Sequence, residues 1–207
     1  MPDNREPHAE RLEALWKGEF GDAYTERNAR AAEGRLPFWK DLLTAFPSSR
    51  VLEVGCNLGA NLSNIATILP ARDVYGIEIN ESALRKLRNT YPDVNPVWGR
   101  ARELPFRDGF FDLVFTCCVL IHQPPDTLPE IMSEIVRCSR RYVLCAEYFA
   151  ETPTEVPYRG QPGALYKMDF GGVYQQRFPA LRLLRKGFLS KADGWDDVTT
   201  WMFEKRA

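Results

Sequence analysis

His122 and Glu147 each close an apolar run, and both are residue types that move protons. His122 ends Cys117-Cys118-Val119-Leu120-Ile121-His122, while Glu147 and Tyr148 follow Val143-Leu144-Cys145-Ala146. An imidazole titrates near neutrality, so His122 is the first candidate for a general base. Its competing role is to cap a loop and pack beside Pro124-Pro125. Glu147 can take a proton or hold a substrate hydroxyl, with Tyr148 beside it. Equally, it can pair with an arginine of the N-terminal segment. Further along, Tyr158-Arg159-Gly160 and Lys167-Met168-Asp169-Phe170 supply two cations. A guanidinium clamps a carboxylate or phosphate through two parallel bonds, and an ammonium adds a point charge. Tyr158, Arg159, Lys167 and Asp169 are therefore candidates for holding an acidic or polar small molecule. The alternative for the two cations is a solvated surface.

A second chemistry is written in VLEVGCNLGANL, residues 51–62. An apolar run ends at Gly55, and Gly59 follows after Cys56-Asn57-Leu58. Glycine there lets backbone approach a ligand closely. The next strand-like run ends in Glu78, a carboxylate able to accept bonds from both hydroxyls of a ribose. Two cofactor classes compete. A dinucleotide wants G-x-G-x-x-G, which seats pyrophosphate on a helix N-terminus. Here Asn57 stands at the middle glycine, and Glu53 adds negative charge where pyrophosphate would lie. S-adenosylmethionine has no phosphate and carries a sulfonium and an ammonium, which a carboxylate favours. The electrostatics point to S-adenosylmethionine; a purely structural turn remains the third reading.

These residues need a scaffold, and the pattern supplies one. Strand-like runs at 50–55, 73–79, 95–99, 111–120 and 141–149 alternate with helical runs at 61–69, 81–91 and 127–139. That alternation predicts an α/β fold, a parallel sheet covered by helices on both faces. Runs at 180–191 and 198–206 flank Asp193-Gly194, a turn signal, and predict an antiparallel C-terminal hairpin. Residues 8–33 read as two helices broken at Gly18 and Gly21, followed by a short helix over 36–46. The expectation is one domain over 1–207: an N-terminal helical cap to 47, a ligand-binding core over 48–150, and a substrate wall and hairpin over 151–207.

Composition removes other classes. With 27 basic and 28 acidic residues the net charge is −1, which gives no basic footprint for nucleic acid. No apolar stretch approaches the roughly 18 residues of a membrane span, and the charged N-terminus lacks a secretory signal. The 5 cysteines, most of them in apolar runs, suit reduced thiols in a cytoplasmic setting. With 2 histidines, His8 and His122, no metal site is expected.

Three motifs in order, E-V-G-C-N-x-G-x-N-L, G-I-E-I-N and E-L-P-F-R-D-G-F-F-D-L-V, resemble class I S-adenosylmethionine-dependent methyltransferases over about residues 50–150. The resemblance implies a Rossmann-like, seven-stranded, mostly parallel sheet whose last strand is reversed. It implies that Glu53, Gly55, Cys56, Asn57 and Gly59 line the methionine end of the cofactor, and that Glu78 holds the ribose. Ile79 and Leu104 would cover the adenine, with Ala101 and Arg102 at its edge and Cys117 near the cofactor's amino group. One departure stands out. Many relatives have Asp-Ala before L-P-F, whereas here Arg100-Ala101 offers no side-chain acceptor. A narrower likeness, carried by L-W-K-G-E-F-G-D-A-Y-T-E-R-N, V-P-Y-R-G, L-Y-K-M-D-F-G and W-M-F-E-K, is to pseudaminic acid biosynthesis-associated methylases. It implies methylation of oxygen or nitrogen on a sialic-acid-like sugar or its precursor; natural-product and phosphonate methylation stay open. So does a non-catalytic S-adenosylmethionine-binding protein. The segment over 20–28 reads as a lid, with Tyr24, Arg27 and Asn28 on one helix face and Arg27 reaching the cofactor's carboxylate.

Overall fold

The computed structural model describes residues 5–28 and 34–206. The chain opens with α1 (Arg5–Lys17), α2 (Glu19–Arg27) and α3 (Leu36–Ala45). The core then runs β1 (Val51–Val54), α4 (Ala60–Ile65), β2 (Val74–Glu78), α5 (Glu81–Thr90), β3 (Asn95–Trp98), β4 (Phe111–Cys117), α6 (Leu128–Cys138) and β5 (Ser139–Glu147). A small pair, β6 (Thr154–Glu155) and β7 (Tyr166–Lys167), and α7 (Phe170–Arg177) precede the closing strands β8 (Leu181–Leu189) and β9 (Val198–Lys205).

The seven-stranded sheet has the order β3-β2-β1-β4-β5-β9-β8. Its first five strands are parallel neighbours, and β9 enters antiparallel between β5 and β8. Direction of travel across the sheet reverses between β1 and β4, so a crevice opens beyond their carboxyl ends. That crevice is where the glycine turn falls.

Side chains alternate across the pleat and build two cores. On one face Val143 and Cys145 of β5 meet Ile131 and Ile135 of α6 and Tyr174 of α7. On the other, Tyr142, Leu144 and Ala146 meet Trp39 and Leu42 of α3, Ile65 of α4 and Leu87 of α5. Each fully buried side chain of this size stabilises by about 1.5–3 kcal/mol. The alternation also fixes Glu53. Leu52 and Val54 face the α6 core, so Glu53 points with Val51 toward α3 and α4.

Boundaries differ from the sequence expectation in three places. β4 stops at Cys117 because Cys118 takes a left-handed φ of 56° and ends the ladder. α4 ends at Ile65, after which the Thr67 and Ile68 amides bond three residues back in tighter turns before Pro70. α7 lies inside the expected loop; Gly171 and Gly172 hide its helical pattern, and Asp169 caps it by accepting from the Gly172 amide at 2.9 Å. The two helices expected over 8–33 part at Gly18 alone, Gly21 lying buried inside α2, and the expected stretch beyond residue 28 reaches residues outside the described ones.

Candidate cofactor and methyl-transfer site

At the crevice the turn after β1 is drawn onto β2. The amides of Gly55 and Cys56 both donate to the Ile77 carbonyl, at 2.8 and 3.1 Å. Gly55, Asn57 and Gly59 take φ values of 73°, 45° and 76°. A Cβ on Gly55 would lie 2.5 Å from Val119 Cγ2, so only glycine fits that close approach at that φ. The Asn57 amide then donates to Glu78 Oε2 at 2.8 Å, and the Asn80 amide donates to Glu78 Oε1 at 2.8 Å. Glu78 thus ties both strand-to-helix turns together. Burial pushes its carboxyl above the usual range, against the pull of those amides.

A polar chain runs beneath the turn. Asn61 Nδ2 donates to Glu53 Oε1 at 2.6 Å, and Arg35 Nη1 donates to Asn61 Oδ1 at 3.1 Å. Arg35 Nε donates to the Gly194 carbonyl at 3.0 Å, and its guanidinium lies 4.5 Å over the Trp195 ring. Glu53 Oε2 is buried with no hydrogen-bond partner among the described residues. Burial raises the Glu53 carboxyl to about 8, offset in part by Asn61 and Arg35. An orphaned, buried carboxylate oxygen is costly unless a cation meets it.

The roof comes from α1 and α2. Asn80 Nδ2 donates to the Trp16 carbonyl at 3.1 Å and to Asp22 at 2.9 Å, while Thr25 Oγ1 donates to Asn57 Oδ1 at 3.0 Å. Arg102 is held by Glu13 at 2.9 Å. Beneath this roof lies a cavity of about 160 Å³.

His122 forms part of the cavity wall. Its Nδ1 lies 2.7 Å from the Ala164 carbonyl, which can only accept, so Nδ1 carries the hydrogen and Nε2 keeps the lone pair. Burial lowers its pKa to about 4, leaving the imidazole neutral at physiological pH. Trp16 packs 4.5 Å away and Tyr158 5.2 Å away, ring to ring.

The expected site residues divide as follows. Tyr24, Gly55, Cys56, Asn57, Glu78, Ile79, Ala101, Arg102, Cys117 and His122 all line this cavity. Glu53 sits directly behind it through Asn61. Gly59 starts α4, facing Leu87. Leu104 is buried in the α6 core, its amide held by Glu134 at 2.8 Å. Arg27 is exposed at the end of α2; the guanidinium groups in the wall are those of Arg35 and Arg102. Glu147 is fully buried, and its oxygens accept the amides of Val119 at 3.2 Å and Ile121 at 3.3 Å, holding the turn that carries His122. Tyr148 lies under Lys167, whose ammonium is 5.6 Å from the ring centre. Arg159 is exposed in a left-handed turn with φ 49°, and Asp169 is spent on its helix cap. Asn80 and Thr25, which lie inside the sequence motifs without an assigned role, and Arg35, which lies outside them, also carry site contacts.

Residues 51–141 match the family model described as "Methyltransferase domain". The chain is 30% identical over 158 residues to the demethylmenaquinone methyltransferase of Beutenbergia cavernae, covering 75% of this chain and 59% of that one. Its fold superposes, at a TM-score of 0.75 and 13% identity, on a Burkholderia thailandensis 1,6-didemethyltoxoflavin-N1-methyltransferase with bound 1,6-didemethyltoxoflavin and S-adenosylhomocysteine, over 100% of this chain and 92% of that one. A second neighbour is the magnesium protoporphyrin IX methyltransferase of Synechocystis with bound S-adenosylhomocysteine, at a TM-score of 0.70 and 14% identity over 95% and 98% of the two chains. The chain spans 26% to 59% of the length of the curated relatives it matches. The sheet order and its reversed last strand are the fold of these methyltransferase structures, and residues 51–141 carry the match to the methyltransferase family model.

Proposed function

We propose that the chain transfers a methyl group from S-adenosylmethionine to oxygen or nitrogen of a small polar molecule. The observation that carries this reading is the pair of buried carboxylates at the ends of β1 and β2, one of them with an oxygen left unpartnered. Such a site offers acceptors that a pyrophosphate cannot use, and it suits a ligand that brings hydroxyls and an ammonium. Glu78 would accept from the ribose hydroxyls, Glu53 would meet the ammonium, and Arg35 would use its remaining N–H groups on the carboxylate. Bound there, S-adenosylmethionine supplies an electrophilic methyl carbon on its sulfonium. The chain's own work is then alignment, exclusion of water by the α1–α2 roof, and acceptance of a proton by His122 Nε2 when the acceptor is a hydroxyl.

The finer reading of the acceptor, a sialic-acid-like sugar or its precursor, is supported by the sequence resemblance. Tyr158 reaches the His122 ring and is the substrate-wall residue best placed for it. Reduced cysteines support a cytoplasmic setting, and among the described residues no helix is long and apolar enough to cross a membrane.

Calorimetric titration tests the cofactor first. S-adenosylhomocysteine is expected to bind with micromolar affinity and NAD not at all; preference for NAD would overturn the proposal. Turnover of S-adenosylmethionine on a panel of acidic sugars then separates an enzyme from a binding protein. Binding should also release a proton. Glu53, protonated below about pH 8 in the free chain, must ionise to meet an ammonium. Affinity therefore rises with pH from 6 toward 8, by up to about tenfold per unit. Titration at pH 6.5 in two buffers of different ionisation enthalpy should show about one proton released, and Glu53→Gln should abolish the release. Equal heats in both buffers would remove Glu53 from the ammonium site.

A further inference from the structure

Cys117 and Cys118 are neighbours in the chain, yet both line the cavity. In a regular strand, adjacent side chains point to opposite faces of the sheet. Here the strand stops at Cys117, and Cys118 turns left-handed at φ 56° while its amide stays bonded to the Ala146 carbonyl at 2.9 Å. The turn leaves the second thiol in the wall of the same cavity as the first. A left-handed conformation costs a non-glycine residue about 1–2 kcal/mol, and such residues gather at functional sites. Both thiols are free and half-buried; Cys56 also borders the cavity but is only 4% exposed, and Cys138 and Cys145 are buried in the cores at 0%.

We propose that Cys117 and Cys118 form a dithiol site inside the cavity that takes trivalent arsenicals, R–As(OH)2, as its ligand class. Each thiol displaces one hydroxyl: two As–S bonds form, two As–O bonds break, and the two S–H protons leave with the hydroxyls as two waters. Arsenic stays trivalent and no oxidant is needed. Two thiols on adjacent residues of one cavity wall suit this exchange, because a single arsenic can take both. The adduct occupies part of the space proposed for the cofactor, so capture and cofactor binding exclude one another.

Phenylarsine oxide and intact mass spectrometry test the site on the folded chain. One phenylarsine per chain is expected, stable to an excess of monothiol and removed by a dithiol. Cys117→Ser and Cys118→Ser should each lower labelling at least tenfold, while Cys138→Ser labels fully. Cys118→Gly keeps the left-handed turn without the thiol, and its loss of labelling with an unchanged melting temperature separates chelation from misfolding. Absence of an adduct on the native chain, or an adduct that survives in either single serine variant, would overturn the site. Labelling needs no cofactor, so its failure is distinguishable from failure of the methyltransferase reading.

Discussion

Glu78→Ala is expected to weaken S-adenosylhomocysteine binding by about two orders of magnitude. A hydrogen bond to a charged partner contributes about 1.5–3 kcal/mol, and the ribose offers two hydroxyls to this carboxylate. The side chain also holds the amides of Asn57 and Asn80, each at 2.8 Å. Alanine leaves both amides without their acceptor, so the turn that approaches the ligand loosens at the same time. Glu78→Gln separates the effects: its amide oxygen replaces one acceptor, and its NH2 opposes the other donor. The order expected by calorimetry is wild type, then glutamine, then alanine. An alanine variant that binds within threefold of wild type would place the ribose elsewhere.

Glu147→Ala is expected to cost about 2–6 kcal/mol and to release His122. Two buried amides, of Val119 and Ile121, lose their acceptor, at about 1–3 kcal/mol each. The turn they anchor ends at His122. Only 2 histidines occur, so imidazole resonances read this directly by NMR. In the wild type one imidazole should titrate near 4 as the Nδ1–H tautomer. In Glu147→Ala that value should move toward the ordinary 6.5 as water enters, with Glu147→Gln between them. The two groups act oppositely on stability. Glu147, raised to about 7 by burial, contributes most below pH 4.5, and that contribution is lost as pH rises through 7. His122, lowered to about 4, contributes fully above 6.5, and this is lost as pH falls through 4. An unchanged histidine titration in both variants would show that Glu147 does not hold this turn.

The turn after β1 was legible because it rests on local grammar: an apolar run, two glycines and a carboxylate ending the next strand. The parallel sheet and the terminal hairpin were legible for the same reason, since period and turn residues act over short spans. Arg35 was not. Its partner is the Gly194 carbonyl, 159 residues away, and no local pattern marks such a pairing. Glu147 was legible as a carboxylate closing an apolar run, read as a proton acceptor or an arginine's partner, but the run could not show that its partners are backbone amides. Asp169 looked like a substrate ligand because Gly171 and Gly172 concealed the helix it caps.

The contact between Arg35 and the Gly194–Trp195 corner has a consequence for how the molecule is made. The matched methyltransferase domain ends at residue 141, more than 50 residues before that corner. During synthesis the glycine turn and both carboxylates leave the ribosome long before the wall that fastens Arg35 exists. The site therefore becomes complete late and depends on contacts remote in sequence, the kind that form slowly. A ligand that binds only where Arg35 is fastened would stabilise that state by mass action, clamping Arg35 to the Gly194–Trp195 corner.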